Sequence, residues 1–140
     1  MYSIEREFNI AIGHSLSKHQ GRCKSSHGHN VQILIEVSSE ELNDNNMVMD
    51  FSELKDLCNK YIDPLDHSML INETETKMIK LLQKQNNRLH IFNDDPTAEY
   101  LCKYLFDLID DDLMENYPGI ELNHVVIYEN EKSNATYNER

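Results

Sequence analysis

The chain has 140 residues, 39% of them hydrophobic, which supplies one core and would leave two halves too small to stabilise, so residues 1–140 read as a single domain. Its 25 acidic side chains against 13 basic ones give a net charge of −12, which argues against nucleic acid or an anionic membrane surface as a main partner. No run approaches the ~20 apolar residues of a membrane span, and the sparse, odd set Cys23, Cys58 and Cys102 suits a reducing compartment rather than a disulfide framework. A cytoplasmic protein is expected.

Tyr2 to Ile12 alternates, with Tyr2, Ile4, Phe8, Ile10 and Ile12 on one parity and Glu5, Glu7 and Asn9 on the other, the pattern of a half-buried strand. His29 to Val37 alternates likewise, and the Ser-, Gly-, Lys- and His-rich loop between them predicts an antiparallel hairpin. After the polar break Ser38 to Asn46, "MDFSELKDLCNKYIDP" predicts a helix: Asp50 and Glu53 have capping-box spacing, Leu54, Leu57, Cys58 and Tyr61 form the apolar face, and Asp63-Pro64 is the stop. Glu73 to Asn87 predicts a more polar helix with a narrow stripe of Met78, Ile79, Leu81 and Leu82, and "RLHIF" a short extended piece after it. The segment opening at Asp95-Pro96-Thr97 predicts an amphipathic helix on Leu101, Tyr104, Leu105, Leu108 and Ile109. "ELNHVVIYEN" and "NATYN" predict a closing pair of strands. The plan is α+β, with helices on one face of an antiparallel sheet. Four strands leave open edges, so an oligomer that covers them is expected.

The stretch "CKSSHGHN" carries most of the chemistry. His27 and His29 are two apart on a strand and leave the same face. His14 is in phase with Ile10 and Ile12, and hairpin pairing brings it beside the other two although twelve residues intervene. Three neutral imidazoles at about 2.0–2.1 Å with a fourth position open are what a catalytic zinc requires. Gly28 between two of them offers no side chain to obstruct a ligand. Two other readings remain on the residues alone: Cys23 as a fourth ligand, closing a structural site, or an "HGH" run without a metal.

Asp66 and His67, in "PLDHSML", pair a carboxylate with an imidazole as proton transfer requires. Cys23 lies between Arg22 and Lys24, a setting that favours its thiolate as a base, whereas Cys58 and Cys102 lie beside apolar helix stripes as small buried hydrophobes. Glu129 ends a strand; aimed into a pocket, its two oxygens would accept a pair of N–H bonds from a guanidine-like edge. From Phe8 to Ile35 there is no acid, while Lys18, Arg22 and Lys24 make this one place welcoming to an anion.

"FNIAIGH", "CKSSHGHNVQILIEV", "MVMDFSELK", "PLDHSMLIN", "DPTAEYL" and "VVIYENEKSNATY" follow in the order and approximate spacing of the 6-pyruvoyl-tetrahydropterin synthase and 6-carboxy-tetrahydropterin synthase family, which the chain resembles from about Phe8 to Tyr137. The resemblance implies the tunnelling fold, in which subunits join their sheets into a barrel, trimers stack into hexamers and the active site lies between subunits. It implies His14, His27 and His29 as zinc ligands, Cys23 as general base, Asp66 with His67 as its proton-transfer partners, Glu129 as anchor of the pterin's amino-pyrimidine edge, and Thr97 and Glu99 lining the same pocket. The implied substrate is dihydroneopterin triphosphate, with Lys18, Arg22 and Lys24 near its phosphates. The three-residue gap Lys24 to Ser26 resembles the short form of the 6-carboxy enzymes of queuosine-type deazapurine synthesis. Pyruvoyl enzymes usually have a longer gap, and a folate-pathway branch has a glutamate there that this loop lacks. Asn130 departs from a common threonine after the anchoring glutamate, and residues 73–95 are longer than in compact members. Alternatives are a pyruvoyl synthase, a zinc-stabilised pterin binder without turnover, and a purely structural oligomerisation domain.

Overall fold

The structure, a computed structural model, describes residues 1–139. Its elements are β1 (Tyr2–His14), β2 (His27–Ser39), α1 (Phe51–Ile62), β3 (Ser68–Asn72), α2 (Thr76–Lys84), β4 (Leu89–Phe92), α3 (Ala98–Asn116), β5 (Glu121–Asn130) and β6 (Ser133–Tyr137), with 3₁₀ turns at Arg22–Lys24 and Asp63–Leu65. One six-stranded sheet runs β4-β3-β1-β2-β5-β6.

The four expected strands form its antiparallel part. The β1–β2 ladder is continuous from Tyr2 opposite Ser39 to His14 opposite His27, so β1 runs two residues past the hydrophobic alternation and β2 two residues beyond it at each end. The sheet departs from the expected all-antiparallel plan at its other side, where β3 pairs parallel to β1 and β4 parallel to β3. The "RLHIF" piece supplies β4, while β3 was not expected. "SMLIN" is short and mostly buried, and a brief apolar run in a parallel arrangement has no alternation to announce it.

Val31, Ile33, Ile35 and Val37 bury one face of β2 against Leu54, Leu57 and Ile62 of α1 and Leu101, Leu105, Ile109 and Leu113 of α3 in a single cluster. The opposite face is polar: His124 lies between Glu5 and Glu36 at 3.6 and 3.5 Å, and Gln32 donates to Glu7. Both helices therefore back one face, as α+β packing requires. Asp50 caps α1 by accepting from Ser52 N at 2.7 Å, one position short of the Glu53 capping-box pairing. Thr97 caps α3, accepting from Tyr100 N at 3.1 Å. α2 is shorter than expected, because Asn72 accepts from both Thr74 N and Oγ1 and draws the chain into a turn before it, and Asn86 at φ 56° ends it. None of its residues is fully buried.

Candidate metal centre and active site

The β1–β2 register decides the site. His14 pairs with His27 and Ile12 with His29, so the three imidazoles leave one face at the end of the sheet. Their ring centroids are 4.5, 4.9 and 5.0 Å apart, all edge to face, and one ligand atom from each lies within 4.8 Å of the others. His14 Nδ1 is 2.9 Å from the Pro96 carbonyl and His27 Nδ1 2.6 Å from the Ser25 carbonyl. A carbonyl can only accept, so both Nδ1 atoms carry the proton and both Nε2 atoms present lone pairs. The Nε2 atoms of His14, His27 and His29 are buried without a hydrogen-bond partner.

Orphaned buried polar nitrogens cost about 1–3 kcal/mol each, and three together suit a cation that is bonded by all of them. Burial is the main cause pushing the His14 pKa down, with added repulsion from His27 and His29, so its ring is held neutral as ligation requires. Cys23 is free and outside this group, which leaves three protein ligands and an open position. The residues present therefore fit a metal of the catalytic kind.

Glu129 stands beside the triad, with Oε2 3.9 Å from His29 Nε2. Extending the register in which Gln32 faces Tyr128 by one residue puts Glu129 opposite Val31, on the face that carries His29. The β5–β6 ladder shifts between Tyr128 and Asn130, an irregularity of the kind that re-aims side chains next to active sites. His29 and Glu129 share a cleft of about 760 Å³ with Gly28, Gln32, Tyr128 and Asn130.

The other expected residues lie elsewhere on the subunit. Cys23 sits half-buried in the turn Arg22–Lys24, whose carbonyl accepts from Leu16 N at 2.8 Å. Burial pushes the Cys58 and Cys102 thiols up to about 12, as befits core residues. Asp66 Oδ1 accepts from Ala11 N at 3.0 Å and meets His67 Nδ1 at 2.9 Å. His67 has the left-handed φ of 55°, held by its N–H to the Ala11 carbonyl at 2.7 Å, a strain characteristic of functional positions. Its side chain is 77% exposed. Glu99 is exposed in the first turn of α3, and Thr97 follows the Pro96 whose carbonyl holds His14. None of Cys23, Asp66, His67, Thr97 and Glu99 lines the cleft of His29 and Glu129 within one subunit. Lys18 is matched by Asp94 at 2.6 Å, leaving Arg22 and Lys24 as the cations of that loop without an ion pair among the described residues.

Sequence reasoning missed the carbonyls of Ser25 and Pro96, because backbone acceptors leave no residue-type signal. It also missed Asp95, although an acid one residue before the proline of a helix start was visible. The Ala11 N–H is the largest influence on the Asp66 carboxyl and pulls it below its ordinary value, against a smaller upward push from burial and with help from His67. A depressed folded-state pKa gives stability that is present above the unfolded value of about 3.9 and is lost as pH falls through the folded value. Thermal melts of Asp66→Asn are therefore expected to lose less stability than wild type on acidification from about pH 4.

An open three-histidine group beside a carboxylate, on an α+β sheet backed by helices, is an arrangement that could hold a metal of the catalytic kind. The chain belongs to the 6-pyruvoyl tetrahydropterin synthase family, whose model matches residues 3–140, and is a lyase with that family's tunnelling fold. It is 33% identical over 129 residues to the 6-carboxy-5,6,7,8-tetrahydropterin synthase of Haemophilus influenzae, covering 87% of this chain and 92% of that protein. The enzyme of the same name from Aquifex aeolicus is 27% identical, over 99% of this chain and 98% of that one. Among solved structures, an uncharacterised protein from Wolinella succinogenes superposes with a TM-score of 0.81 at 20% identity, covering 99% of this chain and 98% of that one. The Caenorhabditis elegans 6-pyruvoyl tetrahydropterin synthase does so with a TM-score of 0.73 at 22% identity, covering 99% and 96%.

Proposed function

We propose that the chain is a zinc-dependent 6-carboxy-5,6,7,8-tetrahydropterin synthase, converting 7,8-dihydroneopterin triphosphate to 6-carboxy-tetrahydropterin, acetaldehyde and triphosphate in queuosine-type deazapurine synthesis in the cytoplasm. The observation that carries this reading is the convergence of three imidazole nitrogens beside Glu129, in a chain whose curated relatives bear that name. Three imidazoles with an open position favour zinc over metals that prefer oxygen or sulfur ligands.

Zinc held by His14, His27 and His29 supplies Lewis acidity toward the oxygens of the substrate side chain. Cys23 removes a proton from that side chain as general base, and His67, oriented by its bond to Asp66, returns one. Glu129 accepts two N–H bonds from the guanidine-like edge of the pterin, with Thr97 and Glu99 closing the same pocket. Arg22 and Lys24 face the phosphates.

If His67 acts at the Glu129 cleft, its outward position and its absence from that cleft within one subunit are accounted for by a second subunit that completes the site. The edges to join are present: β1 pairs with β3 only from Ile12 to His14 and Ala11 is bonded to Asp66 and His67, leaving Tyr2 to Ile10 without a strand partner on that side, and β6 is an outer strand. The proposed enzyme is a homo-oligomer, a trimer or hexamer, with the active site between subunits.

The test is to supply the zinc-loaded protein with 7,8-dihydroneopterin triphosphate and follow acetaldehyde together with the mass of the pterin product. Acetaldehyde with the carboxy product supports the proposal. A pyruvoyl product without acetaldehyde makes the chain a 6-pyruvoyl-tetrahydropterin synthase, and pterin binding without turnover makes it a zinc-stabilised binder. In the same assay Glu129→Gln is expected to weaken kcat/KM by about 10–100-fold, the loss of one charge-assisted pair of hydrogen bonds. A purely structural oligomerisation domain would show no such loss.

A further inference from the structure

Asp95 is 8% exposed and lies between the end of β4 and the start of α3. Its carboxylate accepts from Ser17 Oγ at 2.6 Å, Lys18 N at 2.9 Å and Asn72 Nδ2 at 2.9 Å. Burial pushes this carboxyl up, but those hydrogen bonds outweigh it and hold it below the ordinary range, ionised. The three donors come from distinct segments of consequence. Ser17 and Lys18 belong to the loop that leaves β1 immediately after His14, and Asn72 ends β3, whose Leu70 pairs with His14.

The residue that follows Asp95 is Pro96, and its carbonyl accepts from His14 Nδ1 at 2.9 Å. Pro96 has no N–H with which to anchor itself, so the position of that carbonyl depends on its neighbours. Asp95 supplies the anchoring on one side through its carboxylate and Thr97 N on the other, which donates to the Asp95 carbonyl at 2.9 Å. The loop is fixed a second time by Ser15, which donates to Glu75 at 2.9 Å. The acceptor opposite the free nitrogen of a metal-bound imidazole sets its tautomer and ring orientation, and losing such a partner typically weakens metal binding about 10–100-fold.

We propose that Asp95 is a positioning residue of the metal centre: by tying the loop after His14 to the end of β3, it holds the Pro96 carbonyl where the His14 ring must donate. The proposal rests on the reading of the three histidines as a metal site. The experiment measures zinc affinity by competition with a chromophoric chelator, and the visible spectrum of the cobalt-loaded protein, for wild type, D95N and D112N. Asp112 is an equally buried carboxylate, 7% exposed, at the other end of α3, where it accepts from Tyr61 and Asn116 and pairs with Lys60.

D95N is expected to bind zinc about 10–100-fold more weakly and to shift the cobalt bands, while D112N lowers the melting temperature and leaves both readouts as in wild type. Should D95N not fold, S17A carries the test, with a smaller loss of affinity in the same direction. Wild-type zinc affinity and an unshifted cobalt spectrum in the folded variant overturn the proposal, as does an equal loss in D112N. A wild-type protein that takes up neither zinc nor cobalt overturns the reading of the histidines instead.

Discussion

Replacing His29 by Ala is expected to leave the purified protein without stoichiometric metal and to reduce turnover by about 10³-fold or more, since a bound metal contributes several kcal/mol of transition-state stabilisation. Among the described residues the group that could hold the metal consists of His14, His27 and His29. His14 and His27 are oriented by the Pro96 and Ser25 carbonyls, and no cysteine belongs to the group. Two imidazoles do not make the three-ligand catalytic set. The melting temperature supplies an independent readout: zinc raises that of the wild type by binding only the folded state, and H29A should not respond. Metal content by emission spectroscopy, steady-state kinetics and melts with and without zinc check the three parts. Full zinc content in H29A would remove His29 from the ligand set.

The second large effect is expected at Cys23. Cys23→Ser should lower kcat by about 10²–10⁴-fold, the usual worth of a positioned general base, while zinc content and the zinc-induced rise in melting temperature stay at wild-type levels. The combination separates two roles for the thiol. A base can be lost without disturbing the metal, whereas a fourth ligand cannot, and the structure keeps Cys23 outside the group of ligating atoms. Iodoacetamide labelling of the zinc-loaded protein gives a parallel result: Cys23 is expected to react, and Cys58 and Cys102, with their thiols pushed up to about 12 by burial, are not.

How much of this was visible in the chain differs by element. The hairpin and its histidines were legible because alternation with period two fixes which side chains share a face, and the register then brings His14 to His27 without further information. Beyond β1 the extended piece of β4 was legible, but β3 and the parallel pairing of both strands were not. β3 and β4 are short, parallel and held in place by distant contacts, such as Met69 N to the Arg88 carbonyl at 3.0 Å. The α2 boundaries failed by a few residues at each end because turn chemistry at Asn72 and Asn86 overrode a helical apolar stripe. Within the site, His14, His27 and His29 come together in one subunit as strand phase suggested, and Glu129, which only the family resemblance placed there, lies beside them. Cys23, Asp66, His67, Thr97 and Glu99 do not line the same cleft within one chain; under the proposed function a neighbouring subunit would bring them to it, and such a contact is not written in the contacts of one chain.

The central claim is an open metal centre of three imidazoles, and X-ray absorption at the zinc edge of the loaded wild-type protein tests it most directly. The account predicts a first shell of nitrogen or oxygen atoms only, at about 2.0–2.1 Å, with imidazole scattering beyond it. A sulfur at about 2.3 Å would place Cys23 on the metal, close the site and contradict the account.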